Sequence, residues 1–510
     1  MSSLASIALL ASLALPAAPR SLAPAQETTY ELSALIAELE ATVPDLLLAS
    51  LTPGAGLALI EDGAVVWEHG FGYSDVATQT PVTTATVFNI GSISKTIAAW
   101  GVMKLVEEGQ LDLDRPLEEY LEDWKLPDSE FDSAAVTLRG LLSHSAGLSL
   151  HGYPGFGPDD ALPSLIESLD GATNGSGAVT LIYEPGTSWS YSGGGYTICQ
   201  LLVEQATGKS FADYMRTVFP ALGMQPAGYD WPEELRAVTS KCYDQLGRET
   251  PNPRFTAQAA ASLKTTAGSL ARFGTLVFEG PGGEAPGRGF LQPETVTEMI
   301  TAHPASQGNY GLGYMLRMEA RDRRVLGHGG ANRGWHATLK LLPEERAGLV
   351  VLTNGSNGQT VYSEVANIWV RHRIGISDSP YGRMPVSVRV LSVLRSDGVE
   401  EALGFYDYLK MDERDAYRFG EDELNRVGIV LLDAEQFDDA ILVFELNISE
   451  YPKAWNTYDS LAYAHMLRGA EGDRELAIEN YEEALRRNPR NEDAQRYLAE
   501  LRGQAGAERD

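Results

Sequence analysis

Phe88-Asn89-Ile90-Gly91-Ser92-Ile93-Ser94-Lys95 is the stretch on which the reading of this chain turns. Gly91-Ser92 stand at the head of an apolar run, Ile93, Ile97, Trp100, Val102, Met103, Leu105 and Val106, mostly at helical spacing, and Gly109 stops it. A serine there lies at the positive end of the helix, among backbone N–H groups with no intrahelical partner. Lys95, three residues on, shares its face. A serine nucleophile needs a base beside it and positive surroundings, and this pair supplies both. The lysine works as a base only if its pKa falls, which burial and nearby positive potential achieve by up to ~3–5 units. Taken alone the pattern says little, because an ordinary serine N-cap produces it too.

Upstream, Gly54 to Ile60 and Ala64 to Glu68 are short apolar runs around Asp62-Gly63, the signature of a β-hairpin. Far downstream, residues 323–328, 334–342 and 347–354 read as three consecutive strands, the last two joined by Pro343-Glu344-Glu345. Strands at both ends with helices and Gly/Pro-rich loops between them predict an α+β domain whose sheet closes from distant segments.

Two more elements carry chemistry. Trp189-Ser190-Tyr191-Ser192-Gly193-Gly194-Gly195-Tyr196 sets a tyrosine on a Gly-rich turn, placed to exchange protons with Ser92. Gly327-His328-Gly329-Gly330-Ala331 sets a histidine among glycines on a strand, where a ligand can approach the backbone. Each has a plain packing explanation, and their order is what counts. S-x-x-K opening a helix, then Y-S-x, then H-x-G on a late strand, resembles the serine β-lactamase and D-Ala-D-Ala carboxypeptidase superfamily. Within it the pattern is similar to the class C branch, which includes D-aminopeptidases and carboxylesterases. Leu141-Leu142-Ser143-His144-Ser145-Ala146-Gly147-Leu148, Tyr310-Gly311-Leu312-Gly313-Tyr314 and Leu352-Thr353-Asn354 support it, and the resemblance covers roughly residues 30–378.

That resemblance implies a β-lactamase/transpeptidase-like domain, an antiparallel sheet with flanking helices and a helical subdomain. It implies a serine hydrolase working through an acyl-enzyme on Ser92, with Lys95 and Tyr191 sharing proton transfer. His328 stands where relatives often carry Lys, so it and the neighbouring Gly330 and Gly193 are assigned to substrate binding. The oxyanion hole falls to the backbone N–H groups of Ser92 and Ala331. His144 belongs to a family turn and is read as structural. One departure matters: the second motif usually ends in Asn, which holds the substrate's amide, and here that position is Gly193. The loss favours esters, or substrates anchored differently, and antibiotic resistance is not inferred. A neutral His328 also supplies no charge for a substrate carboxylate. The substrate class is left as ester, D-amino-acid peptide or β-lactam.

Beyond about residue 378 the chain turns helical and acidic. Ala402-x3-Tyr406, Ala440-x3-Phe444 and Ala477-x3-Tyr481 share the A-x3-aromatic signature of a tetratricopeptide unit's second helix, with Pro452 and Pro489 as closing prolines and Gly428 and Ala462 as small packing residues. The expected organisation is a signal peptide over 1–25, the hydrolase domain over 26–378, a helical linker or degenerate repeat over 379–420, and an all-α tetratricopeptide-like repeat domain over 421–510. The leader rests on the apolar run Leu4–Leu15 and an A-x-A site ending at Ala25, and it predicts export to the periplasm or medium.

A formal charge of −30 argues against nucleic-acid and anionic-membrane partners. No later run approaches a membrane span. The eight histidines form no close ligand pair, so no metal or cofactor is expected. Cys199 and Cys242, the only two cysteines, leave one bridge open, though two separate core thiols are the plainer reading. A second function remains beside the hydrolase: a penicillin-binding-like or inert protein that recruits a partner through its repeats. The intact Ser92, Lys95 and Tyr191 favour the enzyme.

Overall fold

Every residue from Gly54 to Ile60 in strand β1 (Gly54–Glu61) is buried, which is why this run is continuously apolar rather than alternating. Ala55, Leu57 and Leu59 face one helical layer and Ala58 and Ile60 the other. The computed structural model describes residues 31–319, 323–375 and 382–507. The expected leader and the boundary at residue 378 lie outside the described residues. Strand β2 (Ala64–Asp75) pairs antiparallel with β1 across Asp62-Gly63, whose φ values of 48° and 78° are those an Asp-Gly hairpin turn requires.

Together with a short β3 (Thr80–Pro81), these strands join the late segment: β4 (Met315–Glu319), β5 (Arg323–Asn332), β6 (Trp335–Leu342) and β7 (Ala347–Thr353). The seven-stranded sheet runs β3-β2-β1-β7-β6-β5-β4, with Ala55 of β1 opposite Thr353 of β7. The two ends of the domain thus close the sheet, as their spacing predicted. Helices α1 (Leu32–Ser50) and α4 (Gly358–Ile374) cover one face. Helix α2 (Ile93–Glu107) and the helical middle of the chain cover the other. All residues of α2 from Ile93 to Met103 are buried, so it is a core helix without a polar face.

Strand β5 runs four residues past its predicted end at His328, to Asn332. Its outer neighbour β4 pairs with it only as far as Gly327. From His328 to Asn332 the outer edge of β5 therefore has no strand partner among the described residues, and this bare edge borders the main cavity. Both cysteines are buried free thiols; Cys242 donates to the Thr250 carbonyl at 3.3 Å.

The C-terminal part continues in antiparallel helix pairs. They are α5 (Val386–Asp397) with α6 (Val399–Asp412), α7 (Glu421–Asp433) with α8 (Phe437–Glu450), and α9 (Trp455–Arg468) with α10 (Asp473–Arg487), followed by α11 (Glu492–Ala507). Ala402, Tyr406, Ala440, Phe444, Ala462, Ala477 and Tyr481 are all buried, as the repeat signature requires. Residues 386–412 thus make a full helix pair, and Val386, Val390 and Leu391 of α5 share an apolar cluster with Leu246 of the sheet domain. No described helix is long and apolar enough to cross a membrane. A Cβ on Gly428 would lie 2.2 Å from the Phe444 ring. Gly428→Ala is expected to destabilise the tail by ~2 kcal/mol through overpacking. Urea unfolding followed by tryptophan fluorescence measures it, and a change under ~0.5 kcal/mol would contradict this packing.

Candidate active site

Ser92 immediately precedes α2 but is not a cap: its hydroxyl accepts from no backbone N–H of the first turn. Instead it receives a hydrogen bond from Lys95 Nζ at 3.2 Å. Gly91 makes this possible. Its φ of +53° favours glycine, and a Cβ there would lie 2.6 Å from the backbone nitrogen of Ala331. Ser94 steadies the turn, its hydroxyl donating to the Gly91 carbonyl at 2.6 Å.

Lys95 is 1% exposed and pairs with no carboxylate among the described residues, and its second acceptor is the Ala260 carbonyl at 2.8 Å. Burial alone lowers its pKa from 10.5 to about 7. Tyr191 closes the site, its ring centroid 4.9 Å from Lys95 Nζ. Burial pushes its hydroxyl well above the usual tyrosine range, and a hydrogen bond with Ser92 opposes that rise. Near neutral pH the site therefore holds an amine that can lose its proton and a phenol that keeps its own.

His328 lies on β5 with both ring nitrogens engaged. Nδ1 is 2.6 Å from the Gly329 carbonyl, so it carries the proton, and Nε2 accepts from the Tyr310 hydroxyl at 3.2 Å. Burial, then the nearby Lys95, bring its pKa down to about 3. It offers no positive charge to a ligand. Gly330 presses on the nucleophile loop: a Cβ would sit 1.9 Å from the Ile90 carbonyl oxygen. The two-residue Arg333-Gly334 turn makes Asn332 and Trp335 the closing pair of the β5–β6 hairpin. By the alternation of such a ladder, the peptide groups of Gly329 and Ala331 point away from β6, toward the bare edge. The Ala331 N–H thus faces the loop that carries Ser92.

Gly193 opens helix α3 (Gly193–Thr207), and chain segment 150–153 fills the space beside it. A Cβ on Gly193 would lie 3.0 Å from the His151 carbonyl and 3.3 Å from the Tyr153 ring. The Gly193 and Gly194 N–H groups donate to the carbonyls of His151 and Leu150, at 3.1 and 3.2 Å. A side chain at this position would therefore press on main chain.

The structure brings Ser92, Lys95, Tyr191, His328, Gly330 and Ala331 to one cavity of about 1090 Å³, and Gly193 directly behind its wall. Sequence reasoning missed three residues. Ala260 offers only its backbone, and Asn332, which bonds Asn89 and the Ala261 carbonyl, has no motif of its own. Tyr310 stood in a quoted phrase without a role, whereas His144 was read as structural. His144, in a left-handed conformation at φ 59°, accepts the Ser192 N–H on Nδ1 at 3.1 Å and packs 4.3 Å from the Tyr191 ring. Burial, then Lys95, keep it neutral, so it holds the Tyr191 turn without acting as a second base.

A buried Ser–Lys pair with a tyrosine, between a core helix and a sheet edge, is the site of a serine β-lactamase-like fold. A Beta-lactamase family profile matches residues 35–369, and the chain belongs to that family. It is 28% identical over 347 residues to the D-aminopeptidase of Brucella anthropi, an overlap of 65% of this chain and 61% of that protein's length. It is 25% identical over 378 residues to the human mitochondrial serine β-lactamase-like protein LACTB, covering 58% and 69% of the two chains. Among solved structures, an octameric penicillin-binding protein homologue from Pyrococcus abyssi superposes with a TM-score of 0.54 at 26% identity, over 64% of this chain and 75% of that one. SurE gives 0.56 at 26% identity, over 68% and 77%.

Proposed function

We propose that the chain is an exported serine hydrolase of the class C type that forms an acyl-enzyme on Ser92. The observation that carries this is the Lys95–Ser92 contact of 3.2 Å, made by a buried amine whose pKa lies near 7 and a serine hydroxyl not used as a cap. Neutral Lys95 takes the Ser92 proton as Oγ attacks the carbonyl carbon. The Ser92 and Ala331 N–H groups receive the charge that develops on the carbonyl oxygen. As the tetrahedral species collapses, Tyr191 donates its proton to the leaving nitrogen or oxygen and takes one from the Lys95 ammonium. Water then enters by the reverse path and frees the acid.

His328 carries no charge, so a substrate carboxylate has no partner at that position. This supports esters and D-amino-acid amides over β-lactams, and the likeness to a D-aminopeptidase agrees with it. The first helix pair of the tail, sharing a cluster with Leu246, supports the sheet domain; the later pairs, which fit tetratricopeptide-like units, are assigned to holding a protein partner. Intact mass after treatment with a fluorophosphonate is expected to show one adduct, mapped to the Ser92 peptide. Turnover of a nitrophenyl ester and of D-alanine nitroanilide is expected to exceed that of a chromogenic cephalosporin. No adduct would end the hydrolase reading; a preference for the cephalosporin would reverse the substrate assignment.

A further inference from the structure

Main chain packs against Gly193, the position where the second motif usually carries an amide-holding Asn, and the same segment puts another side chain in the cavity wall. Segment 149–153 is fixed to the Tyr191 turn at several points. Ser192 Oγ donates to the Ser149 carbonyl at 2.6 Å, the Gly193 and Gly194 N–H groups bind the carbonyls of His151 and Leu150, and Tyr153 Oη lies 2.6 Å from Thr197 Oγ1. A wall held this way presents His151 in one place. Its side chain is exposed to the cavity, and its ring centroid lies 4.8 Å from that of Tyr191.

Neither ring nitrogen of His151 has a hydrogen-bond partner among the described residues. An imidazole both donates and accepts, so it can meet the carbonyl oxygen or the N–H of an amide. Two other polar side chains that line the cavity are engaged. Asn332 gives its side-chain N–H groups to Asn89 and the Ala261 carbonyl, and His328 is held by Tyr310 and Gly329.

We propose that His151 takes over amide recognition from position 193 and is a specificity-determining residue for acyl groups that carry an amide beside the carbonyl attacked by Ser92. This rests on the serine-hydrolase reading above. It deepens that reading by naming the feature the cavity selects: an acyl portion with an amide one or two atoms from the reacting carbon, reached by the His151 imidazole.

Two boronic acids test it on the full chain. Acetamidomethylboronic acid carries an amide, and 3-methylbutylboronic acid has nearly the same shape without one. Each adds to Ser92 by forming an Oγ–B bond while the serine proton passes to Lys95, and no group leaves. Affinities follow from quenching of tryptophan fluorescence or from calorimetry, so no turnover is needed. The native protein is expected to prefer the amide-bearing boronate. His151→Ala should reduce the ratio of the two affinities about fivefold, the scale of one hydrogen bond, and His151→Asn should restore part of it. The contacts that fix the wall come from the Ser149, Leu150 and His151 carbonyls and the Tyr153 hydroxyl, none from the His151 side chain, so these substitutions leave them in place. A ratio in His151→Ala within twofold of the native one, or no preference in the native protein, would overturn the proposal. Failure of both boronates to bind the native protein would instead overturn the serine-hydrolase reading beneath it.

Discussion

Ser92→Ala, Lys95→Met and the double variant are each expected to lower kcat/KM on a nitrophenyl ester by a similar factor, on the order of 10³–10⁶, because groups that act as one unit are not additive. Without Ser92 there is no atom to acylate. Without the Lys95 amine, 3.2 Å away, the hydroxyl keeps its proton. Losses that multiplied in the double variant would show that the two residues act independently. The native rate should rise with pH through about 7, where Lys95 becomes neutral, and then level off.

The same substitution has an opposite effect on stability. The folded-state pKa of Lys95, about 7, lies below the 10.5 of a free lysine. Between those values the unfolded chain binds more protons, so this residue's contribution makes stability rise with pH across that window. The native protein therefore carries the full penalty below pH 7. Lys95→Met is expected to raise stability by ~2 kcal/mol at pH 6 and by less at pH 9. Thermal melts at the two pH values decide it. Equal gains at both would mean that burial does not shift the amine.

Gly330→Ala should be nearly as damaging to catalysis, for a reason of space. Its Cβ would meet the Ile90 carbonyl oxygen at 1.9 Å and the Ser92 nitrogen at 3.3 Å, both main-chain atoms that no rotamer change can move aside. Strand β5 and the loop that carries Ser92 must separate, and the Ser92 and Ala331 N–H groups, the proposed oxyanion-hole donors, separate with them. A displaced donor costs ~10²–10³-fold in kcat. Gly329→Ala is the control for packing, since its Cβ would meet nothing within 4 Å. Its melting temperature is expected to stay close to native, whereas that of Gly330→Ala falls. Equal melting behaviour of the two would show that the loop is not seated against β5.

Much of this site could be read from the chain because its parts are local. S-x-x-K lies on one helical turn, and Asp62-Gly63 dictates a hairpin by its φ values. The double burial of β1 and β7 shows in unbroken apolar runs. What could not be read depends on contacts between distant segments. Ala260 reaches Lys95 through a carbonyl, which every residue possesses. The neutrality of His328 comes from Tyr310 and from burial, neither visible in the triplet around it. The edge of β5 was expected to end near His328, because the glycines that follow weaken any strand propensity; pairing with β6 through the Arg333-Gly334 turn overrides it. Residues 386–412 matched the repeat signature only faintly, yet burial of Ala402 and Tyr406 completes a helix pair.

The main chain behind Gly193 also sets what a side chain at that position would meet. The His151 carbonyl lies 3.0 Å from where a side chain at position 193 would begin, and the 193 N–H is bonded to that same oxygen. An asparagine there would press its Cβ on main chain, so segment 149–153 must give by a few tenths of an ångström to admit it. The residue at position 193 and the path of segment 149–153 are thus coupled, and what is placed at one is felt along the other.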